Sequence, residues 1–238
     1  MKRGRLVSLF ILFFAAAAFV TNLIANCSDR WWVNAREGGE KTFRRAGLWQ
    51  VCFDMYRHRF DYYGKIYNGC WWLFSPEIRM LRSWISNYWL RWVQTLSTLS
   101  LICSLFALGS SINVNRQDNF RSARHVLIQS SLHIVAALLM FCTVILFGVD
   151  GKRRDWMMNW QFNWFGWSYK LAIVSCILQF IAGIFSIYQG SNKYLLDMYD
   201  FIKEEQKLEK LSTLKFPPLP HTGVVERNGS KTQLHQYM

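Results

Sequence analysis

The sequence predicts a membrane protein built from four transmembrane helices, with a small β-sheet in its long first loop. Its apolar residues, 52% of the chain, are gathered in uninterrupted runs and are not spread at the period of a soluble helix or strand. Each run is close to the ~20 residues that cross a hydrocarbon core, and none contains Asp, Glu, Lys or Arg. The four runs are Leu6–Ala25, Trp92–Val114, Val126–Val149 and Leu171–Gln189.

The four runs set the expected order of segments along the chain. The basic residues Lys2, Arg3 and Arg5 precede the first run and favour a cytoplasmic N-terminus, although Lys152–Arg154 in the third connection argue the other way. We therefore expect a cytoplasmic N-terminus at 1–5, transmembrane helices at 6–25, 92–114, 126–149 and 171–189, extracellular loops at 26–91 and 150–170, a cytoplasmic loop at 115–125, and a cytoplasmic tail at 190–238.

The first run also has features of a secretory signal, namely a basic start followed by apolar residues. The run is long for the core of a signal peptide, and no small-residue cleavage site follows it at a suitable distance. These two features favour a first helix that is retained in the membrane.

The charge and the motifs exclude several classes of function. A net charge of +13 would indicate nucleic acid as the partner of a soluble protein, but in a membrane protein the distribution of the charge along the chain matters more. The sequence contains no nucleophile–base pair, no metal-ligand spacing, no phosphate-binding loop and no acidic residue in a membrane run. We therefore predict a protein that is not an enzyme, uses no cofactor and no metal, binds no nucleic acid, and is surrounded by membrane lipid.

Cys52 and Cys70 lie together in the polar first loop, whereas Cys103, Cys142 and Cys176 lie inside apolar runs. With no histidine at zinc-ligand spacing, the two loop thiols indicate a disulfide, which requires an oxidising compartment. Two free cytosolic thiols are the alternative. Because the N-terminal charges favour the same orientation, we place the loop outside the cell and predict a Cys52–Cys70 bridge.

The first loop has two segments with the character of strands. From 47 to 53 the side chains alternate, which predicts a half-buried strand. Its two faces would be Trp49, Val51 and Phe53 on one side, and Leu48, Gln50 and Cys52 on the other. The segment 61–74 is rich in tyrosine and tryptophan and predicts a second strand, interrupted by two glycines.

Residues 75–85 predict a short amphipathic helix that leads into the second transmembrane helix. Ser75 suits the N-cap, Pro76 the first helical position, and Glu77 the positive end of the helix dipole. One face would carry Ile78, Leu81 and Ile85, with Arg79 and Arg82 turned away. The aromatic residues at 84–92 then lie where an interfacial belt is expected.

These features together resemble the claudin superfamily. The residues that carry the resemblance lie between the first and second of four helices: a tryptophan at Trp31 or Trp32, for which we take Trp32, then Gly47, Leu48, Trp49, Cys52 and Cys70. The segment "FDYYGKIYNGCWWLFSPEIRMLRSWI", residues 60–85, is similar more narrowly to the claudin-like proteins of arthropod septate junctions. Seventeen residues separate the two cysteines, a longer gap than in vertebrate claudins, so charge-selectivity rules from those proteins do not transfer.

The resemblance implies a fold and a function. The fold would be a four-helix bundle with an extracellular antiparallel sheet built from both outer loops, to which 150–170 adds one strand. Trp49 would wedge the sheet against the helix tops, and the bridge would tie two strands together. The function would be structural: assembly of septate junctions at the lateral plasma membrane and maintenance of the epithelial barrier, through contacts in cis and trans with other junction membrane proteins. A stargazin-like auxiliary subunit of a membrane channel is the alternative.

The later helices and the tail add further expectations. Small residues at three- and four-residue steps in the second and fourth helices predict close packing within the bundle, and His133 is expected to be neutral and bonded to a serine. In the tail, Phe216, Pro217, Leu219 and Pro220 resemble a ligand of EVH1 domains, although prolines that simply end a helix are the plainer interpretation. The terminal Tyr237 and Met238 resemble a PDZ ligand.

Overall fold

The structure, a computed structural model, describes residues 2–35, 43–58, 64–116, 123–158 and 160–215. The chain forms two compact units, Met1–Tyr194 and Leu195–Met238. The elements, in chain order, are α1 (Lys2–Cys27), β1 (Trp32–Asn34), β2 (Phe43–Ala46), β3 (Gln50–Arg57), β4 (Ile66–Trp72), a 3-10 turn (Pro76–Ile78), α2 (Arg79–Ile85), α3 (Tyr88–Arg116), α4 (Ala123–Asp150), a second 3-10 turn (Trp160–Phe162), β5 (Asn163–Phe165) and α5 (Trp167–Lys215).

The prediction of four membrane-spanning helices is confirmed. Among the described residues, four helical stretches are long and apolar enough to cross a membrane: Arg5–Cys27, Tyr88–Arg116, Arg124–Asp150 and Trp167–Ser212. The helices are longer than the apolar runs because backbone hydrogen bonding continues into their aromatic and polar flanks. The fourth continues furthest, to Lys215.

The small residues of α3 and α5 face the interior of the bundle. The predicted stripe in α3 is buried along its length, and so is the stripe in α5: Ser97, Ser100, Ser104, Ala107 and Ser111, with Ala172, Ser175, Gln179, Ala182 and Ser186. Two serines bond to neighbouring helices, Ser100 Oγ to the Ala136 carbonyl at 2.8 Å and Ser175 Oγ to the Ala18 carbonyl at 2.9 Å. Close approach of backbones is therefore what these stripes provide.

His133 is fully buried in the bundle and joins three helices. Its Nε2 lies 3.2 Å from Ser111 Oγ, and its Nδ1 lies 2.8 Å from Gln179 Oε1. A neutral imidazole suits these contacts, with Nδ1–H donating to the glutamine, while the single hydroxyl proton of Ser111 lies within reach of both the Ala107 carbonyl and the histidine Nε2. The predicted bond between His133 and a serine is therefore present.

A five-stranded antiparallel sheet stands at the end of the bundle where α1 ends and α3 begins. Its strand order is β4-β3-β2-β1-β5. Strands β1 to β4 come from the first long loop, and β5 comes from the second, with Val33 opposite Trp164. The expectation that the second loop adds one strand to the sheet is confirmed.

The prediction of a half-buried strand along residues 47–53 is wrong. Strand β3 begins only at Gln50, and Val51, Cys52 and Phe53 are all buried. Both faces of this strand are covered, one by the core of the sheet and the other by the disulfide and the Asp29–Arg45 ion pair. A strand buried on both faces loses the alternating pattern.

The short helix after β4 is present, but its start differs from the prediction. Ser75 has the extended backbone of an N-cap, yet its hydroxyl bonds to the Glu77 carboxylate and caps no backbone N–H. Ile78, Leu81 and Ile85 are buried as predicted. Arg82 does not turn away: it donates to the Leu73 and Ser75 carbonyls, at 2.9 and 3.0 Å.

Candidate interaction surface

The residues after α1 form the junction between bundle and sheet. The Trp31 N–H donates to the Ala46 carbonyl, and the Gly166 N–H donates to the Trp31 carbonyl, both at 3.0 Å. Ser168 Oγ donates to Ser28 Oγ at 2.7 Å. One short segment, residues 28–31, thereby ties the first loop and the second loop to the end of α1.

The two adjacent tryptophans of this junction are both buried. Trp31 donates its indole N–H to the Ala25 carbonyl at 2.6 Å, which fixes it to the last turn of α1. Trp32 lies in β1 with its ring edge-to-face against Phe165, 4.9 Å between centroids. Both rings also lie against Phe147 of α4. Aromatic pairs in this geometry contribute about 0.5–1.5 kcal/mol each beyond area burial.

Gly47 and Leu48 bring the sheet into contact with the helices. A Cβ on Gly47 would collide with the Ser28 carbonyl oxygen and would lie 2.6 Å from Asp29 Cα. Leu48 is fully buried, and its carbonyl accepts a 2.6 Å hydrogen bond from Gln94 Nε2 of α3. The close approach of the two backbone segments therefore needs a residue without a side chain at position 47.

Trp49 precedes β3 and is only half-buried. Its ring stacks on Trp72 at 6.2 Å and lies 6.3 Å from Phe74. The resemblance led us to expect Trp49 as the wedge between sheet and helices. In the structure the fully buried contacts are made by Trp31 and Leu48, while Trp49 covers the outer flank of the sheet near α3.

The disulfide joins the edge strand β4 to its neighbour β3. Cys52 and Cys70 are directly opposite in register on β3 and β4, with Cα atoms 4.0 Å apart. Beside them, Arg45 Nε donates to the Asp29 carboxylate at 2.7 Å. Asp29 lies near both sulfurs, but because these are bonded to each other, they offer no thiolate to a metal.

The edge strand β4 presents basic and apolar groups side by side. Ile66 and Trp72 are each about half exposed. Lys65 Nζ lies 5.4 Å from the centroid of the Tyr67 ring and 5.8 Å from that of Trp71. A cation held over aromatic faces keeps its charge available while its alkyl stem covers apolar surface.

The second loop continues this mixture of basic and aromatic groups. Lys152 lies over the Phe165 ring at 5.2 Å, and Arg154 over Trp160 at 4.9 Å. The carboxylate of Asp150, helped by that of Asp155, raises the pKa of Arg153, so this guanidinium stays charged. We call the exposed parts of β4 and of this loop the outer surface.

Tyr56 lies under the outer surface with its ring buried against Phe53. Burial, followed by the neighbouring Tyr67, raises the pKa of Tyr56 to about 12. The phenol therefore stays protonated and can donate to His58 Nδ1, 2.9 Å away. This contact joins the end of β3 to the residue that follows it.

The geometry on this side of the bundle agrees with a comparison of the whole sequence with known families. The family model described as "PMP-22/EMP/MP20/Claudin tight junction" matches residues 16–187. The chain belongs to this family. The matched range includes all four membrane-spanning helices in part or whole, both loops of the sheet and the Cys52–Cys70 bridge.

Among individual proteins, this claudin-family chain is similar to the voltage-dependent calcium channel gamma-7 subunits of Homo sapiens, Mus musculus and Rattus norvegicus. Each is 25% identical over 208 residues, which cover 80% of this chain and 72% of the relative. The family match and the four candidate membrane spans of the described residues together indicate a multi-pass membrane protein.

The contact between Leu48 and Gln94 was not predicted from the sequence. The available signal was the glutamine itself, an amide two residues into an apolar run, which needs a hydrogen-bond partner. The pairing of Asp29 with Arg45 was not predicted either, because it depends on the register of β2. The tail residues Phe216, Pro217, Leu219, Pro220, Tyr237 and Met238 lie outside the described residues.

Proposed function

We propose that this protein is a structural component of cell–cell junctions, which assembles septate junctions and maintains the epithelial paracellular barrier. The observation that carries the proposal is the disulfide-joined sheet, whose outer surface offers Lys65, Trp72 and the basic second loop to other membrane proteins. Membership of a family described by tight junctions supports it. The outer surface would bind other membrane proteins in cis and in trans, and no reaction would be catalysed.

The proposal requires the sheet to face the cell exterior. Oxidised Cys52 and Cys70 are expected on that side, because cytosolic thiols are kept reduced. The N-terminus, the connection between α3 and α4, and the tail would then be cytoplasmic, in agreement with the charges around α1.

Glycosylation tests this orientation. We expect Asn228, in the sequon Asn228-Gly229-Ser230, to remain unmodified because the tail is cytoplasmic. Asn26, in the sequon Asn26-Cys27-Ser28, should also remain unglycosylated, since it is buried and accepts a hydrogen bond from Ser97 Oγ at 2.8 Å. The measurement is a gel shift on glycosidase treatment. A shift that disappears in Asn228→Gln would show that the tail is extracellular, opposite to the proposed orientation.

The function itself is tested in a polarised epithelial monolayer. We expect the protein at the lateral junction and a several-fold rise in the paracellular flux of a small tracer when it is depleted. Restored tracer exclusion on re-expression is the control. A protein spread over the whole cell surface, with unchanged flux after depletion, would contradict the proposal.

The charge of the first outer loop suggests what the outer surface binds. Residues 27–91 contain eleven Lys or Arg and six Asp or Glu, a net charge of +5. Basic charge can attract anions to a pore or an acidic partner on the facing cell. The bulky, uncharged Trp71 and Trp72 next to Cys70 favour a sealing contact with an acidic partner.

Removing three of these charges tests whether the loop binds an acidic partner or attracts anions to a pore. We expect the triple variant Arg57→Gln, Arg59→Gln, Lys65→Gln to weaken adhesion between facing cells about tenfold, since exposed ion pairs contribute up to ~1 kcal/mol each. The measurement is aggregation of expressing cells at low and high salt, with Lys203→Gln in α5 as control. Intact junctions with altered ion selectivity would instead favour a pore.

A second function is favoured by the relatives, which are named as calcium channel subunits. Under this alternative the protein is a stargazin-like auxiliary subunit, and the same outer surface contacts a channel. Purification from native membranes distinguishes the two: recovery with a pore-forming channel subunit supports the alternative, and recovery with junction membrane proteins supports the proposal above.

The tail adds proposed cytoplasmic partners. We propose that 216–220 binds an EVH1 domain weakly, because prolines preform the extended helix such domains accept, and that Tyr237 and Met238 reach a PDZ groove. A tail peptide should bind an EVH1 domain, and Phe216→Ala should abolish the binding, as measured by calorimetry. Equal binding of both peptides, or of neither at millimolar concentration, would leave the prolines as the end of the helix.

A further inference from the structure

A groove of about 510 Å³ lies where the flank of the sheet meets the first turns of α3. Its walls come from three parts of the chain that are distant in sequence: the residue before β3, the segment from the end of β4 to α2, and one side of α3. The lining residues that matter here are Trp49, Phe74, Arg82, Arg91, Thr95 and Leu99. We call this the interfacial groove.

The floor of the groove crosses the expected boundary of the membrane. Arg91, Thr95 and Leu99 are four residues apart, so they lie one above another on a single face of α3, and all three are exposed. The uncharged apolar run starts at Trp92, immediately after Arg91. The same face therefore passes from a cation through a hydroxyl to an aliphatic side chain over about 12 Å, at 1.5 Å per residue.

The groove holds two cationic groups that no carboxylate neutralises within the described part of the chain. The guanidinium of Arg82 is fixed by the Leu73 and Ser75 carbonyls, which accept hydrogen bonds but carry no net charge. The Arg91 side chain makes no hydrogen bond or ion pair with any described residue, and Thr95 Oγ1 bonds only to the Arg91 carbonyl of its own helix. Guanidinium groups placed next to the apolar run can bind an anionic group such as a phosphate.

The opposite wall is aromatic and fixed. The rings of Trp49 and Phe74 lie 6.3 Å apart, and Trp72 packs on both, 6.2 Å from Trp49 and 6.3 Å from Phe74. Phe74 is additionally held under the Arg82 guanidinium at 5.8 Å. Aromatic side chains in this position pack against the upper part of an acyl chain in a membrane interface.

We propose that the interfacial groove binds one phospholipid of the leaflet on the sheet side. Its phosphate would lie at Arg91 with Arg82 behind it, and one acyl chain would run over Thr95 and Leu99 against Trp49. A soluble anion would use the arginines but leave the apolar half of the groove empty, whereas a phospholipid matches the whole gradient. The inference does not depend on whether the protein serves a junction or a channel.

Native mass spectrometry of the purified full-length protein in detergent tests the site, with dioleoylphosphatidylcholine as the probe. We expect wild-type protein to retain one phospholipid through a delipidating wash. Arg91→Gln should raise the apparent Kd at least about tenfold, because a charged hydrogen bond to phosphate is lost. Leu99→Trp, which fills the lower groove from an exposed helix position, should have a similar effect without touching either arginine.

Three controls keep the result specific. Arg79→Gln removes an exposed arginine of α2 that does not line the groove, and it should bind like the wild type. Dioleoylglycerol, which has the same chains without phosphate, should not be retained. Equal Kd values for the wild type and Arg91→Gln would overturn the proposal. Displacement of the lipid by about 10 mM inorganic phosphate, enough to occupy a site with a millimolar Kd, would overturn it too, because it would indicate a soluble-anion site.

Discussion

Replacing Cys52 or Cys70 by serine is expected to hold the protein in the secretory pathway and to reduce its amount at the cell surface several-fold or more. The bridge closes an 18-residue separation across β3 and β4, and a loop of this size contributes about 3 kcal/mol in the chain-entropy model. A five-stranded sheet at the end of a bundle has little other covalent restraint. The measurement is surface biotinylation, together with thermal unfolding of the purified variants.

The chain provides matched controls for this prediction. Cys27 and Cys142 are free and exposed, so Cys27→Ser and Cys142→Ser remove a thiol of the same size without opening the sheet. Both should reach the surface at wild-type levels. If mass spectrometry of the non-reduced protein found Cys52 and Cys70 both as free thiols, the bridge and the orientation inferred from it would be wrong together.

The helical part of the fold is predictable from sequence because one physical term dominates it. Burying charge or unpaired backbone in hydrocarbon costs several kcal/mol, so spans must be apolar, uninterrupted and helical. The packing faces of α3 and α5 were predictable for a related reason. The spacing of their small residues is enough to identify the face of each helix that packs against its neighbours. His133 could be paired with a serine in advance because a buried imidazole must find a partner.

The sheet was less predictable because its contacts depend on register and on chain segments far apart in sequence. Cys52 lies on the face of β3 opposite to Val51, and it would be exposed in a sheet with one solvent-exposed face, but the disulfide covers that face as well. Strand β5 has three residues and no recognisable period, so only the resemblance to a family indicated it. The interfacial groove could not be predicted, because Trp49, Phe74 and Arg91 meet only when the sheet is placed on α3.

The glycines of the first and second loops show how tightly the sheet is fitted to the bundle. A Cβ on Gly47 would meet Ser28 and Asp29, and a Cβ on Gly166 would meet the Arg30 carbonyl on the other side of the same segment. The backbone at 28–30 is therefore enclosed by two residues that have no side chain. Neither position has the left-handed backbone that glycine alone favours, so space, and not conformation, requires glycine there.

Gly47→Ala is accordingly expected to destabilise the protein by about 2 kcal/mol or more, at the upper end of the range for overpacking. The obstacle is backbone, which cannot rotate away as a side chain could. Gly109→Ala is the control: nothing lies within 4 Å of its added methyl group, and alanine suits the interior of α3. We expect the midpoint temperature of thermal unfolding and the amount of protein at the cell surface to fall for Gly47→Ala. Both should stay at or above the wild-type value for Gly109→Ala. If both variants were as stable as the wild type, residues 28–31 would not be enclosed as described, and the junction between sheet and bundle would have to be looser than these contacts indicate.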